Sequence, residues 1–589
     1  MTRYMTRRSF LLPLLLAELL VACTRPDGTS GKRTGDAAQP VPGDWAIVRF
    51  ENEPDTLNPL TSVTTVASYA LWGAKNSQVY ELLMGYNTRD WDVTEPLLAE
   101  AAPTVSDDHV TYTVKIREGV KWHDGQPFTP EDVLFTFKAA ACPLTDAARH
   151  RSSLTDLADI QVDGRTIRFI MSKPNVYNLR NVVTNLLPII PKHVFDEEGL
   201  LDAFSYKDMI GLKAKADPKI KKFAERFNKH PANRAPVGTG PYKFEKWDSG
   251  REIVLTRNDE YWGKKPYLEK IVYRVITDYT AALTAFKAGE IDLQPRLLPI
   301  QYREQTGGPA FEQQFVKVTY SIPSEYEILW NHERPFFKDK RVRQALTMLV
   351  DRQKILEAIR SGLGQIGVSP FGTEARDFNP NIKALPYDPK RAVELLDEAG
   401  WKDHDGDGVR DKDGVKFKFE FLGSSGSAVF KQLSPVLADE FRKAGIEMTE
   451  RVVELALMTE TLKQHRFDAG VLGFTFDLVY DPYHIWHSSA ASGGSNFENF
   501  KNAESDRLLE QARLEFDNEK RKQIYWRWQE LIHDEQPVTF LYYQVEPAAY
   551  STRFQNVQWL PLRPGYDLTS WWVPLGKQKY THAEAVAGN

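Results

Sequence analysis

Short runs in which apolar and polar residues alternate are spread along the chain, with longer amphipathic segments between them. Val110-Thr-Tyr-Thr-Val-Lys-Ile116 has a period of two and predicts a strand. Trp45–Phe50, Ile253–Leu255, Ile271–Ile276, Val316–Ile322, Phe417–Phe421 and Val538–Tyr543 read the same way. Ile160–Ile170 reads as a hairpin turning at Asp163-Gly164. Helical spacing predicts a helix over 67–83, with Leu71, Val79, Leu82 and Leu83 on its apolar face. Further helices are expected over 279–288, 341–360, 389–399, 428–444, 504–514 and 518–535. Thr129-Pro-Glu-Asp132 starts another, with Thr129 as cap, Pro130 in the first turn and two acids favoured by the helix dipole. The charged stretch 203–230 reads as a helical elaboration of the surface. No fixed-period repeat organises these elements, so the expected fold class is α/β, in several lobes.

The N-terminus decides where the rest of the chain works. Arg7 and Arg8 precede an apolar run from Leu11 to Ala22, and Leu20-Val-Ala-Cys23 places small residues before a cysteine. That order is a secretory signal over 1–22, with Cys23 at the cleavage point as a site for lipid attachment. Thr6-Arg-Arg-Ser-Phe-Leu11 resembles the twin-arginine export signal. Pro13 and Glu18 interrupt the run, which is too short to span a bilayer. Residues 23–43 read as a flexible tether. The mature protein is therefore expected outside the cytoplasm, periplasmic or on the cell surface, anchored to a membrane through Cys23.

Composition narrows the function further. The only other cysteine is Cys142, so an internal disulfide is not expected, and a chain of 589 residues has core enough to fold without one. A net charge of −5 lacks the basic footprint of a nucleic-acid binder. Two or three domains fit the length. Aromatic residues make up 12% of the chain, a content that suits either a ligand cleft or a large core.

Several segments, in order, carry a resemblance. They begin with Glu53-Pro-Asp-Thr-Leu-Asn-Pro59 and the long run from Leu98 to Lys138, LAEAAPTVSDDHVTYTVKIREGVKWHDGQPFTPEDVLFTFK. PVGTGPYKF (236–244), RNDEYWG (257–263), FKAGEID (286–292) and FKDKRVRQAL (337–346) follow. Tyr387-Asp-Pro-Lys-Arg-Ala, Asn496-Phe-Glu-Asn-Phe and Asp506-Arg-Leu-Leu509 complete the series. Together they resemble the bacterial extracellular solute-binding proteins of the peptide class, family 5, the receptors of oligopeptide and dipeptide ABC importers.

The resemblance implies a two-lobed periplasmic-binding-protein-like fold with an extra inserted lobe and ligand in the interlobe cleft. Lobe I would be discontinuous, from 44–77, 236–295 and 546–577; lobe II would be 78–235, lobe III 296–545, and 578–589 a tail. It implies a non-enzymatic, monomeric receptor that needs no cofactor and delivers a peptide or peptide-like solute to an ABC permease. Related receptors carry nickel chelates, haem, sugars or opines, so the cargo stays open. A receptor that feeds a sensor or assists folding outside the cell is also open.

The segment Gly473–Pro482, GFTFDLVYDP, is where the resemblance places the ligand. Family members carry an acidic residue here that pairs with the α-amino group of a bound peptide. Asp477 is the match, in a loop one residue longer than the commonest pattern, and Asp481 matches the Asp-Pro step. Phe474, Phe476, Tyr480 and Trp486 are candidate apolar walls. A capping role for Asp477 is the plain alternative.

Other motifs have plainer readings. His123-Asp-Gly125 reads as a turn into a helix. Gly238-Thr-Gly240 lacks the lysine and helix of a phosphate loop and reads as a tight chain crossing. His484 and His487 raise a metallohydrolase alternative, but they lack an assignable third ligand and the HExxH pattern. Asp403-His-Asp405-Gly-Asp407-Gly-Val409-Arg-Asp411 reproduces most of a structural calcium loop. Asp403, Asp405 and Asp407 would offer side chains and Val409 its carbonyl, with Asp411 direct or through water. Gly414 stands where a bidentate glutamate is usual.

Overall fold

Strand Trp45–Phe50 is buried on both faces, as a parallel strand inside an α/β sheet must be. The structure, a computed structural model, describes residues 39–64, 71, 77–86, 95–183, 187–476 and 479–580. The signal segment, Cys23 and Asp477 lie outside the described residues. Everything below belongs to the unit Pro40–Asn589.

A sheet of 11 strands runs through this unit. One half is the run Leu293–Gln294, Trp45–Phe50, Lys270–Val275, Glu252–Arg257 and Tyr242–Asp248. Three distant parts of the chain meet there at Arg553. Its guanidinium donates to Asp292 at 2.7 and 3.0 Å and to the carboxylate of Asp44. The other half begins with strand Ala469–Thr475, then Lys418–Ser424 and Glu447–Val453. These three are parallel, so helices Ala428–Lys443 and Leu455–Lys463 make the crossovers that parallel pairing requires.

Two long strands, Phe315–Trp330 and Val538–Ser551, belong to both halves. Ser321 pairs with Val545 and Glu325 with Tyr543, so the register breaks at the step between the halves. Pro323, which has no N–H to give the ladder, sits in that break. A separate four-stranded sheet carries Thr104–Val105, Thr111–Lys115, Thr166–Met171 and Leu157–Asp163. Helix Pro130–Ala141 has its start fixed by Thr129 N–H, which donates to Asp132 at 2.8 Å.

Two expectations change. The segment Ser77–Leu83 is not helical, because its carbonyls serve another strand: Gln78 O accepts from Tyr242 N and Val79 O from Gly240 N, each at 2.9 Å. The helix expected over 341–360 is two helices, Lys340–Met348 and Arg352–Arg360. Asp351 restarts the second by accepting from Lys354 N at 3.0 Å. Among the described residues, no helix is long and apolar enough to cross a membrane.

Candidate functional site

At the chain crossing Gly238-Thr-Gly240, the turn His123-Asp-Gly125 meets the segment 77–83. A Cβ on Gly238 would lie 1.8 Å from Val79 O, and one on Gly240 2.5 Å from Gln78 O, so only glycine permits the approach. His123 clamps the crossing: its Nδ1 accepts from Gly238 N at 3.1 Å and its Nε2 donates to Gly240 O at 2.9 Å. Burial lowers its pKa to about 4, so the ring stays neutral, as this pairing requires. Behind it, Tyr261 Oη and Trp262 Nε1 donate to the buried Glu81 carboxylate at 2.7 and 2.9 Å. Burial still pushes Glu81 up to about 7. These motifs build an architectural joint.

A cavity of about 640 Å³ lies between residues 153–181 and 475–513. Asp156, Lys173 and Asn175 face it from one wall, and Phe476, Tyr480 and Asp481 from the other. Its mixture of charges, amides and rings suits a polar solute with apolar parts. The walls are tied together at its edge. Tyr177 Oη donates to Tyr480 O at 3.0 Å and lies 2.5 Å from Tyr525 Oη. Arg180 donates to Val479 O at 2.6 Å, and Val176 N donates to Arg513 O at 2.9 Å. His109 stacks on Phe516 with ring centres 3.6 Å apart.

The residues singled out from sequence have separate fates. Phe476 and Tyr480 line the cavity with rings 4.3 Å apart. Phe474 stacks on Phe476 at 5.9 Å and on Phe497 at 6.3 Å, one step behind the wall. Asp481 also faces the cavity, but its carboxylate is engaged. Arg513 donates to it at 2.8 and 3.1 Å, and Tyr483 N at 3.1 Å. Trp486 is a correction: it is 1% exposed and packs on Trp528 and Phe540 in the core, not on the cavity. Asp477, between Phe476 and the next described residue Val479, is outside the described residues.

The two histidines do not form a shared centre. His484 Nε2 lies 3.3 Å from Arg513, whereas His487 Nδ1 bonds Ser489 Oγ at 2.7 Å. Among the described residues, Asp403, Asp405 and Asp411 are the one group of three or more metal-ligating side chains that converge, within 4.8 Å. Lys416 lies among them, with Nζ 2.6 Å from Asp405, 2.9 Å from Asp407 and 3.5 Å from Val409 O. The donors fit a cation, and the lysine ammonium supplies one. Tyr177, Arg180 and Arg513 were not found from sequence; no local spacing marks them, because they meet the ligand segment only through the fold.

The comparisons agree with this architecture. The family model for bacterial extracellular solute-binding proteins, family 5 (middle region) matches residues 93–497. The oligopeptide-binding protein AppA of Bacillus subtilis (strain 168) is 30% identical over 569 residues, covering 95% of this chain and 97% of AppA. The structure of AppA in complex with a nonapeptide superposes with a TM-score of 0.70, covering 91% of this chain and all of that one at 30% identity. Heme-binding protein A of Haemophilus influenzae is 26% identical, covering 84% of this chain and 87% of its own. The nickel-binding periplasmic protein of Escherichia coli (strain K12) is 26% identical, covering 72% and 74%. The matched region exceeds two thirds of the chain, and a relative 30% identical covers 95% of it, so this chain belongs to the bacterial extracellular solute-binding proteins of family 5.

Proposed function

We propose that this protein is a lipid-anchored extracytoplasmic receptor that captures peptides or peptide-like solutes and delivers them to an ABC import permease. The observation that carries the reading is the near full-length likeness to an oligopeptide-binding protein of the same fold. It performs no reaction itself. The two long strands that share the halves of the sheet serve as the hinge, flexing where Pro323 breaks the register. Ligand that touches both walls of the cavity shifts the population toward the closed arrangement, which the Tyr177, Arg180 and Val176 bonds latch. The lobes of this motion are those expected above: 44–77, 236–295 and 546–577; 78–235; and 296–545.

Asp477, by the family resemblance, receives the free amino group of the peptide; Asp481, the other acid of the segment, is held by Arg513. Main-chain hydrogen bonds of the added-strand kind hold the peptide backbone. The haem- and nickel-binding relatives favour a second reading with the same fold and a non-peptide cargo. Calcium, when bound, would be held by Asp403, Asp405, Asp407 and the Val409 carbonyl, and Lys416 would have to leave. No heat on titrating calcium to millimolar concentration into chelator-treated protein would discard that site.

Native mass spectrometry of the domain lacking Cys23, as purified and after refolding, tests the reading. Peptide masses lost on refolding are expected. A single non-peptide mass would overturn the cargo, and an unchanged affinity of Asp477→Ala for the recovered peptide would remove Asp477 as anchor.

A further inference from the structure

Behind the aromatic wall of the cavity lie three buried carboxylates, each with an oxygen that has no hydrogen-bond partner. Glu325 and Glu327 are 2% and 1% exposed, and Glu498 is 1% exposed. Glu325 Oε2, Glu327 Oε2 and Glu498 Oε1 make no hydrogen bond. No arginine, lysine or histidine forms an ion pair with them among the described residues.

Their position follows from the strand register. Glu325 pairs with Phe474 and Tyr543, and Glu327 with Leu472 and Phe540, so both project to the sheet face that Phe474, Leu472 and Phe540 occupy. Tyr326 and Ile328 project to the opposite face and pack into a different core. Glu498 enters beside Phe497, whose ring stacks on Phe474. Phe474, Phe476 and Tyr480 are only half-buried, and the last two line the cavity. A run of packed rings thus leads from the cavity toward the carboxylates.

Burial of a carboxylate without a partner is costly, and three together add mutual repulsion. Burial, with the others nearby, raises Glu325 and Glu327 well above the usual carboxylate range, and burial raises Glu498 to about 8. An arriving ammonium or guanidinium would replace the missing partner, and the ring faces would favour it on the way.

We propose that Glu325, Glu327 and Glu498 form a subsite for a cationic group of the solute, an amine or guanidinium, reached by displacing the Phe476–Tyr480 ring pair. The proposal rests on the receptor reading and adds to it a charge preference separate from the α-amino anchor. The subsite selects cationic side chains, and its carboxylates give up protons when the cation arrives.

The test is calorimetric titration with Ala-Arg-Ala, with its neutral counterpart Ala-citrulline-Ala and with n-butylammonium alone. Wild type, Glu327→Gln and Glu325→Gln are compared. Wild type is expected to bind the arginine peptide at least tenfold tighter than the citrulline peptide. Either glutamine variant should melt no lower than wild type and lose that preference. Equal binding of the two peptides by wild type would overturn the subsite and leave the peptide receptor standing. Binding of n-butylammonium, weakened in the variants, with neither peptide bound would keep the subsite and overturn the peptide reading. Binding of none of the three probes would overturn the subsite.

Discussion

Two sets of carboxylates are buried equally deeply in this protein and have opposite surroundings. Glu81, at the glycine crossing, receives hydrogen bonds from Tyr261 and Trp262. Asp292 receives Arg553 and the N–H of Ile47. Glu325, Glu327 and Glu498 each keep one buried oxygen that receives no donor. A carboxylate supplied with donors holds distant chain segments in one place. One left without donors contributes little to the fold and is free to meet a ligand.

The largest effect should come from the joint itself. Gly238→Ala drives a methyl group to 1.8 Å from Val79 O, and the expected loss is about 3 kcal/mol or more in urea unfolding. A loss under about 1 kcal/mol would mean the crossing can relax and is no fixed joint. Next, Glu81→Leu strands two buried donors and should destabilise by about 2 kcal/mol. Glu327→Leu strands none and should be neutral or stabilising. Equal losses in the two variants would erase the contrast between the regions.

The smallest effect is a pH dependence read at the joint. His123 titrates near 4 when folded, against an ordinary value of 6.5, so the unfolded chain takes up the proton first as pH falls. Its stabilising contribution is full above about pH 6.5 and drains away as pH falls toward 4. Glu81 runs the other way: with its folded value raised from 4.5 to about 7, its contribution is present below about 4.5 and lost as pH rises through 7. The two partly cancel between those values, so comparison with His123→Asn isolates the histidine. The gap in Tm between wild type and His123→Asn should be widest at pH 7 and shrink toward pH 4.5.

Motifs differ in how much of their tertiary role is legible in sequence, for physical reasons. The glycines at 238 and 240 announced a close approach, and the structure supplies it as a crossing over Gln78 and Val79. The same crossing excludes helix over Ser77–Leu83, the last part of the span expected over 67–83, because a carbonyl bonded to a distant strand cannot also close a helical turn. Phe476 and Tyr480 line the cavity, whereas Trp486, four residues beyond Pro482, faces the core. Apolar residues in a short loop look alike in sequence whichever side they face. Glu325 and Glu327 carry the alternation of a half-exposed strand, yet both faces of their sheet are covered.

By itself the sequence determined the family, the α/β class and the order of most helices and strands. These rest on local periodicity, caps and turn residues, and on motifs read in series. Only the tertiary structure decided which residues share the cavity, that Asp481 is held by Arg513, and that Lys416 lies inside the aspartate loop. It alone set together three buried carboxylates that each keep an oxygen without a donor. Burial and pairing depend on contacts between segments tens to hundreds of residues apart, and local periodicity holds no record of them.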